Sequence, residues 1–282
     1  MQNDVEDIEL CLLLEGIAKR YHYDFRGYSH ASLKRRLSQA MVRFNCKTLS
    51  QLQDIILHDE QQFLALISYL TVQVSDLFRD PAFFLSIRHN VIEHLRTYPS
   101  LKVWIAGCGN GEELYSLAIL FREEGLEERT LFYATDLSPE ALRRAESGVY
   151  DQSRIPQFTE NHRLAGGKIS LSHYYTAAYG AAVFDRTLRQ RTVFSDHSLV
   201  SDSVFAEVQL ISCRNVLIYF DRELKERAIK LFCDSLPPKG FLGLGSKETL
   251  RFSDTVDRFK EFDRENRIYQ KQMDLPGNTQ GA

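Results

Sequence analysis

Leu101-Lys102-Val103-Trp104-Ile105-Ala106-Gly107-Cys108-Gly109-Asn110-Gly111-Glu112-Glu113 is the stretch that decides the fold. Its first six residues are a short, β-prone apolar run. Three alternate glycines then let the backbone turn tightly, and residues 112–124 place apolar side chains at helical spacing. Leu131-Phe132-Tyr133-Ala134-Thr135-Asp136 repeats the strand, and residues 138–148 repeat the helix. Strand–helix–strand alternation implies a parallel, doubly wound sheet. Working outward, residues 191–195, 208–213 and 240–245 read as further strands of a sheet of roughly seven. Residues 151–191 interrupt the alternation with aromatic and β-prone pieces around Tyr179-Gly180, which predicts a small antiparallel insertion. On the amino-terminal side only helices are predicted, over 9–20, 32–44, 48–58 and 60–71, with Ser29 and Ser50 at N-cap positions and Asp80-Pro81 opening another helix. The expected fold class is therefore α/β. A helical N-terminal domain over residues 1–85 precedes a doubly wound, Rossmann-like sheet domain over 86–274, with a β-subdomain at about 151–191 and a polar tail over 275–282.

The 282 residues carry 35 basic and 38 acidic side chains, a net charge of −3. So small a net charge disfavours a dedicated nucleic-acid or membrane-surface binder. No run approaches the ~18 apolar residues of a membrane span, and the acidic start Met1-Gln2-Asn3-Asp4 does not read as a signal peptide. Cys11, Cys46, Cys108, Cys213 and Cys233 form no CxxC pair, which predicts reduced thiols, a cytoplasmic location and no metal site.

Chemistry is expected where strands end and helices begin. The Gly107–Gly111 loop offers close backbone approach and unpaired N–H groups. Glu112 and Glu113 directly behind it would repel a pyrophosphate and suit a cationic nucleoside such as S-adenosylmethionine; the plain alternative is two acids stabilising a helix start. Asp136, 23 residues after Glu113, is placed to accept both ribose hydroxyls or to cap the next helix. Arg214, Asn215 and Tyr219 leave the strand that ends at Cys213, the end at which open α/β sheets bind ligands.

Together Gly107-Cys108-Gly109-Asn110-Gly111-Glu112-Glu113, residues 134–150, Ser212-Cys213-Arg214-Asn215 through Asp221, and Leu77-Phe78-Arg79-Asp80-Pro81 resemble the CheR family, the S-adenosylmethionine-dependent chemoreceptor glutamate methyltransferases. The resemblance spans about residues 10–271. It implies cofactor contacts at Gln73, Ser75, Arg79, Glu113, Asp136, Ser198, Leu199, Arg214 and Asn215, with Tyr219 near the transferred methyl; Arg79 and Tyr219 are then the candidates for holding the acceptor carboxylate. Gln73, Ser75, Leu77 and Ser198 stand where the family usually has Asn, Thr, Phe and Asn. The implied reaction forms glutamate methyl esters on a receptor and releases S-adenosylhomocysteine. Alternatives are a methyltransferase acting on nucleic acid or another protein, and a catalytically weak S-adenosylmethionine-binding module.

Lys19, Arg20, Arg26, Lys34, Arg35, Arg36, Arg43 and Lys47, against Asp24 alone, give residues 17–47 a local charge of 8 − 1 = +7. That predicts docking of the acidic methylation helices of a chemoreceptor cytoplasmic domain on the N-terminal helices, without nucleic acid and without membrane insertion. Some family members also bind a receptor's C-terminal peptide on the β-subdomain. The short segment around Tyr179-Gly180 predicts that this chain does not.

Overall fold

The computed structural model describes residues 2–71, 75–251 and 253–273, with side chains from residue 5 onward. The chain divides into two compact units. One comprises Met1–Gln73, Ser198–Asp202 and Tyr219–Ala228; the other comprises Val74–His197, Ser203–Ile218 and Ile229–Ala282.

The first unit is helical: α1 (Gln2–Tyr21), α2 (His30–Phe44), α3 (Leu49–His58) and α4 (Glu60–Leu70). Each buries apolar side chains three or four apart, such as Leu33, Leu37 and Ala40 on α2 and Phe63, Leu66, Ile67 and Leu70 on α4. Thr48, not Ser50, caps α3: its hydroxyl accepts the Gln51 N–H at 3.2 Å. Ser50 lies one residue inside the helix and donates to Glu9 at 2.6 Å. Ser29 stands at the N-cap of α2 but makes no side-chain capping bond.

The second unit opens with α5 (Pro81–Ser86), a π-turn (Ile87–Val91) and α6 (Ile92–Leu95). Its seven-stranded sheet is built from β1 (Leu101–Ala106), β2 (Thr130–Asp136), β6 (Thr192–Asp196), β7 (Leu210–Cys213), β8 (Phe241–Leu244), β9 (Phe259–Asp263) and β10 (Ile268–Lys271), in the order β6-β2-β1-β7-β8-β10-β9. The pairs from β6 to β8 are parallel, and β10 runs antiparallel to both β8 and β9. α7 (Glu112–Glu123) and α8 (Pro139–Ser147) follow β1 and β2, as the alternation predicts. β9 and β10 escape the sequence reading because β9 is largely solvent-facing and shows no clean apolar alternation.

A second, three-stranded antiparallel sheet is ordered β3-β5-β4, from β3 (Val149–Asp151), β4 (Tyr175–Ala178) and β5 (Ala181–Phe184). Tyr179 and Gly180, at φ 53° and 78°, form the whole β4–β5 connection, so the hairpin carries no loop beyond a two-residue turn. α9 (Ile155–Leu164) fills the gap between β3 and β4, and α10 (Arg222–Ser235) precedes β8.

Trp104 on β1 is a buried anchor of the second unit. It is fully buried, edge-on to Phe205 and Phe232, and donates its indole N–H to Thr135 Oγ1 at 2.8 Å. That bond satisfies the ring's single polar atom, so its large area is buried without an orphaned donor. Among the described residues no helix is long and apolar enough to cross a membrane.

Candidate functional site

β1 ends in a loop that only glycine can build. Gly107, Gly109 and Gly111 all have positive φ, and a Cβ on Gly107 would lie 2.5 Å from Val216. Asp136, at the carboxyl end of β2, fastens this loop: its two carboxylate oxygens accept the Gly109 N–H and the Ser138 N–H, each at 2.9 Å. It is 9% exposed, and these two bonds fix its carboxylate.

The sequence reading sets Glu112 and Glu113 together as two negative charges facing the loop. The structure separates them, because consecutive helix residues diverge by about 100°. Glu112 turns inward, is fully buried, and accepts Arg154 Nη1 at 2.9 Å through Oε1. Burial pushes its carboxyl above the usual carboxylate range, against the pull of Arg154. Glu113 instead accepts Ser212 Oγ at 2.6 Å and Arg214 Nη1 at 2.8 Å. Each acid thus has its own arginine, and repulsion of phosphate by an acid pair is not what selects the ligand.

Arg214 is an internal tie. Its side chain is 2% exposed, lies over Phe83 at 4.2 Å, and also donates to the Arg79 carbonyl and Asp80 Oδ2, both at 2.8 Å. Ser75 and Arg79 belong to an arm, residues 75–80, that enters α5. Phe78 and Asp80 are both left-handed, at φ 52° and 56°, which is costly for non-glycine residues and persists only where surroundings enforce it. Here Ser116 Oγ accepts the Phe78 N–H at 2.7 Å, and Asn161 Nδ2 donates to the Leu77 carbonyl at 2.9 Å. The Arg79 guanidinium has no ion pair or hydrogen bond among the described residues.

Asn215 follows Arg214 at φ 62°. Its N–H is taken at 3.0 Å by Glu248, whose carboxylate also accepts the N–H groups of Gly245 (2.6 Å) and Ile218 (3.2 Å). Burial raises the Glu248 carboxyl, and these backbone donors oppose the rise. Glu248 therefore shapes the turn that presents Asn215. Its bond to Gly245 is a local turn, but the two that shape Asn215 and Ile218 reach 33 and 30 positions back and leave no local mark.

Ser198, Leu199 and Tyr219 lie in the first unit. Ser198 Oγ accepts the Val200 N–H at 3.2 Å within a turn closed by Asp202, and Leu199 is buried. Tyr219 stacks on the Arg36 guanidinium at 4.0 Å. Arg36 is 4% exposed and donates Nη1 to the Leu70 carbonyl, while its Nε and Nη2 have no partner among the described residues. Gln73 lies outside the described residues.

The basic patch is smaller than its sequence suggests. Lys19, Arg26 and Lys34 pair with Glu15, with Glu15 and Asp24, and with Asp7, and Arg36 is buried. Arg20, Arg35, Arg43 and Lys47 remain exposed and free of ion pairs among the described residues. Counting charges over 17–47 misses Asp7 and Glu15, which α1 brings alongside.

Residues 73–267 match the family described as CheR methyltransferase, SAM binding domain, and residues 8–71 match CheR methyltransferase, all-alpha domain. The chain belongs to the CheR methyltransferase family. A protein named putative methyltransferase Cher3 from Pseudomonas putida is 54% identical over 94% of this chain and 97% of its own length. Chemotaxis protein methyltransferases from Listeria innocua and Vibrio cholerae are 31% and 26% identical, covering 80% and 92% of this chain and 84% and 93% of their own. CheR methyltransferases use S-adenosylmethionine, and the residues present suit it. That ligand combines a ribose diol, an ammonium and a carboxylate; Asp136 and Glu113 supply acceptors, and Arg79 a cation without an ion pair among the described residues.

Proposed function

We propose that this chain transfers the methyl group of S-adenosylmethionine to glutamate side chains of a chemoreceptor, giving methyl esters and S-adenosylhomocysteine. The names of the Listeria and Vibrio relatives support a chemotaxis substrate. The observation that carries an anionic acceptor is Arg36: a buried guanidinium, stacked on Tyr219, with no carboxylate beside it among the described residues. Such a cation favours a negative group nearby.

Ser75, Arg79, Glu113 and Asp136 would hold the cofactor, with Gln73, Ser198, Leu199 and Asn215 as the further contacts the family pattern assigns. Arg214 acts by orienting Glu113 and the arm. S-adenosylmethionine, when bound, supplies the methyl group on a sulfonium that leaves as a neutral thioether. A glutamate acceptor, with a free pKa near 4.3, is already ionised at neutral pH, so no side chain need act as a general base. The work left to the chain is to align that carboxylate with the sulfonium and to exclude water. Tyr219 is the better orienting donor. A tight Arg79–carboxylate pair would lower the nucleophile's reactivity, whereas a neutral hydroxyl donor perturbs it less.

The test is transfer of labelled methyl from S-adenosylmethionine to receptor-containing membranes. Label that enters receptor and is released by mild base is the expected ester. Label entering RNA or another protein would redirect the substrate assignment. Binding of S-adenosylhomocysteine without transfer to any acceptor would leave a signalling module.

A further inference from the structure

Arg154 closes the short helical turn Gln152–Arg154 behind β3, within the small antiparallel insertion, and sequence alone gives it no role. Its guanidinium meets three groups at once. Nη1 donates to the buried Glu112 at the foot of the glycine loop, and Nη2 donates to the Ser75 carbonyl and to Asp76 Oδ1 (3.2 Å). The guanidinium plane lies over the Phe158 ring at 4.6 Å, which sets its orientation. The arm's far end is held independently, through Leu77, Phe78, Arg79 and Asp80, by α9, α7 and Arg214. Its near end, carrying Ser75, is tied by Arg154 alone among the hydrogen bonds of the described residues.

We propose that Arg154 is a positioning residue that sets cofactor affinity by fastening Ser75 and Asp76 to the start of α7. The proposal rests on the reading that Ser75 and Arg79 contact S-adenosylmethionine. Two features make the fork of an arginine necessary. Glu112 is fully enclosed and has no other cation, so it requires a charged partner. The Ser75 carbonyl and Asp76 lie to the other side of the same guanidinium, and a lysine ammonium has no planar fork to join both sides while stacked on Phe158. α9 of the same insertion adds Asn161 on the Leu77 carbonyl, so residues 152–161 grip the arm twice. The insertion is thereby wired to the segment that would touch the cofactor.

The experiment uses the full chain, S-adenosylhomocysteine calorimetry and thermal melts. Absence of wild-type binding would defeat the underlying cofactor reading, whatever Arg154 does. Given wild-type binding, Arg154→Lys should weaken affinity by about tenfold or more. Asp76→Ala removes one of the two ties that Arg154 makes to the near end without leaving a buried charge unpaired, since Asp76 is 49% exposed, and should weaken affinity several-fold with the melting temperature unchanged. Arg154→Met combined with Glu112→Gln removes the unpaired buried charge, so it should recover the melting temperature lost in Arg154→Met but not the affinity. Arg88→Lys disturbs a more fully buried ion pair, with Glu123 and Glu124, that makes no hydrogen bond to the arm, and should lower melting while sparing affinity. Recovery of affinity together with melting in the double variant, or an equal affinity loss in Arg88→Lys, would reduce Arg154 to a fold-supporting residue and overturn the proposal.

Discussion

Replacing Asp136 by Asn isolates the contribution of one charged oxygen. The amide keeps an acceptor for the Ser138 N–H at the start of α8, but its NH2 group must then face the Gly109 N–H, donor against donor. The glycine loop loses one charge-assisted bond, and a ribose diol bound there, as proposed, would meet a neutral group instead of a carboxylate. A hydrogen bond to a charged group contributes about 1.5–3 kcal/mol, so S-adenosylhomocysteine affinity should fall roughly 10- to 150-fold. The lost Gly109 bond should also lower the melting temperature by a few degrees. Calorimetry on the folded variant, paired with a melt, measures both. Affinity within about twofold of wild type would show that Asp136 serves only the loop and that the ribose lies elsewhere.

Reversing Arg35 and Arg43 to Glu should slow receptor methylation and weaken its salt dependence while leaving S-adenosylhomocysteine affinity unchanged; methylation at the wild-type rate would assign both side chains to a solvated face. Arg36→Glu, by contrast, should destabilise the fold, because it buries an anion against the Leu70 carbonyl. Glu123 is raised by burial, but hydrogen bonds from His162 and Arg88 outweigh this and hold it at about 2. Its folded pKa lies below the unfolded value, so its contribution of roughly 3 kcal/mol is present above about pH 4.5 and is lost as pH falls toward 2. Glu123→Gln should flatten that limb of the stability profile, and an unchanged profile would show the network is not responsible. The two-residue β4–β5 turn leaves little surface for capturing a receptor tail peptide, so calorimetry against such a pentapeptide should give no heat at high concentration; micromolar binding would refute this.

The parts of the fold and candidate site that were legible in the sequence are those encoded locally. The glycine loop announces itself because left-handed turns demand glycine, and Asp136 because it ends an apolar run. Arg154 and Arg36 act on groups 34 or more positions away, and Glu248 reaches Asn215 33 positions back, so nothing near them in sequence marks these tasks. Ser50 misleads because Thr48, two residues earlier, is an equally good cap and wins on geometry. Glu112 misleads because adjacency in sequence is not adjacency on a helix.

The arm 75–80 has a consequence for how the chain comes to life during synthesis. Its partners lie 38 positions away at Ser116, 79 at Arg154, 84 at Asn161 and 135 at Arg214. Left to itself, a six-residue segment with two left-handed non-glycine residues has no reason to take this shape. A nascent chain that has emerged only as far as α8 therefore holds the glycine loop and Asp136 but no finished arm. Competence to bind the cofactor should arrive as a late step, after residue 214 leaves the ribosome, and length-arrested chains should gain S-adenosylhomocysteine binding abruptly past that point.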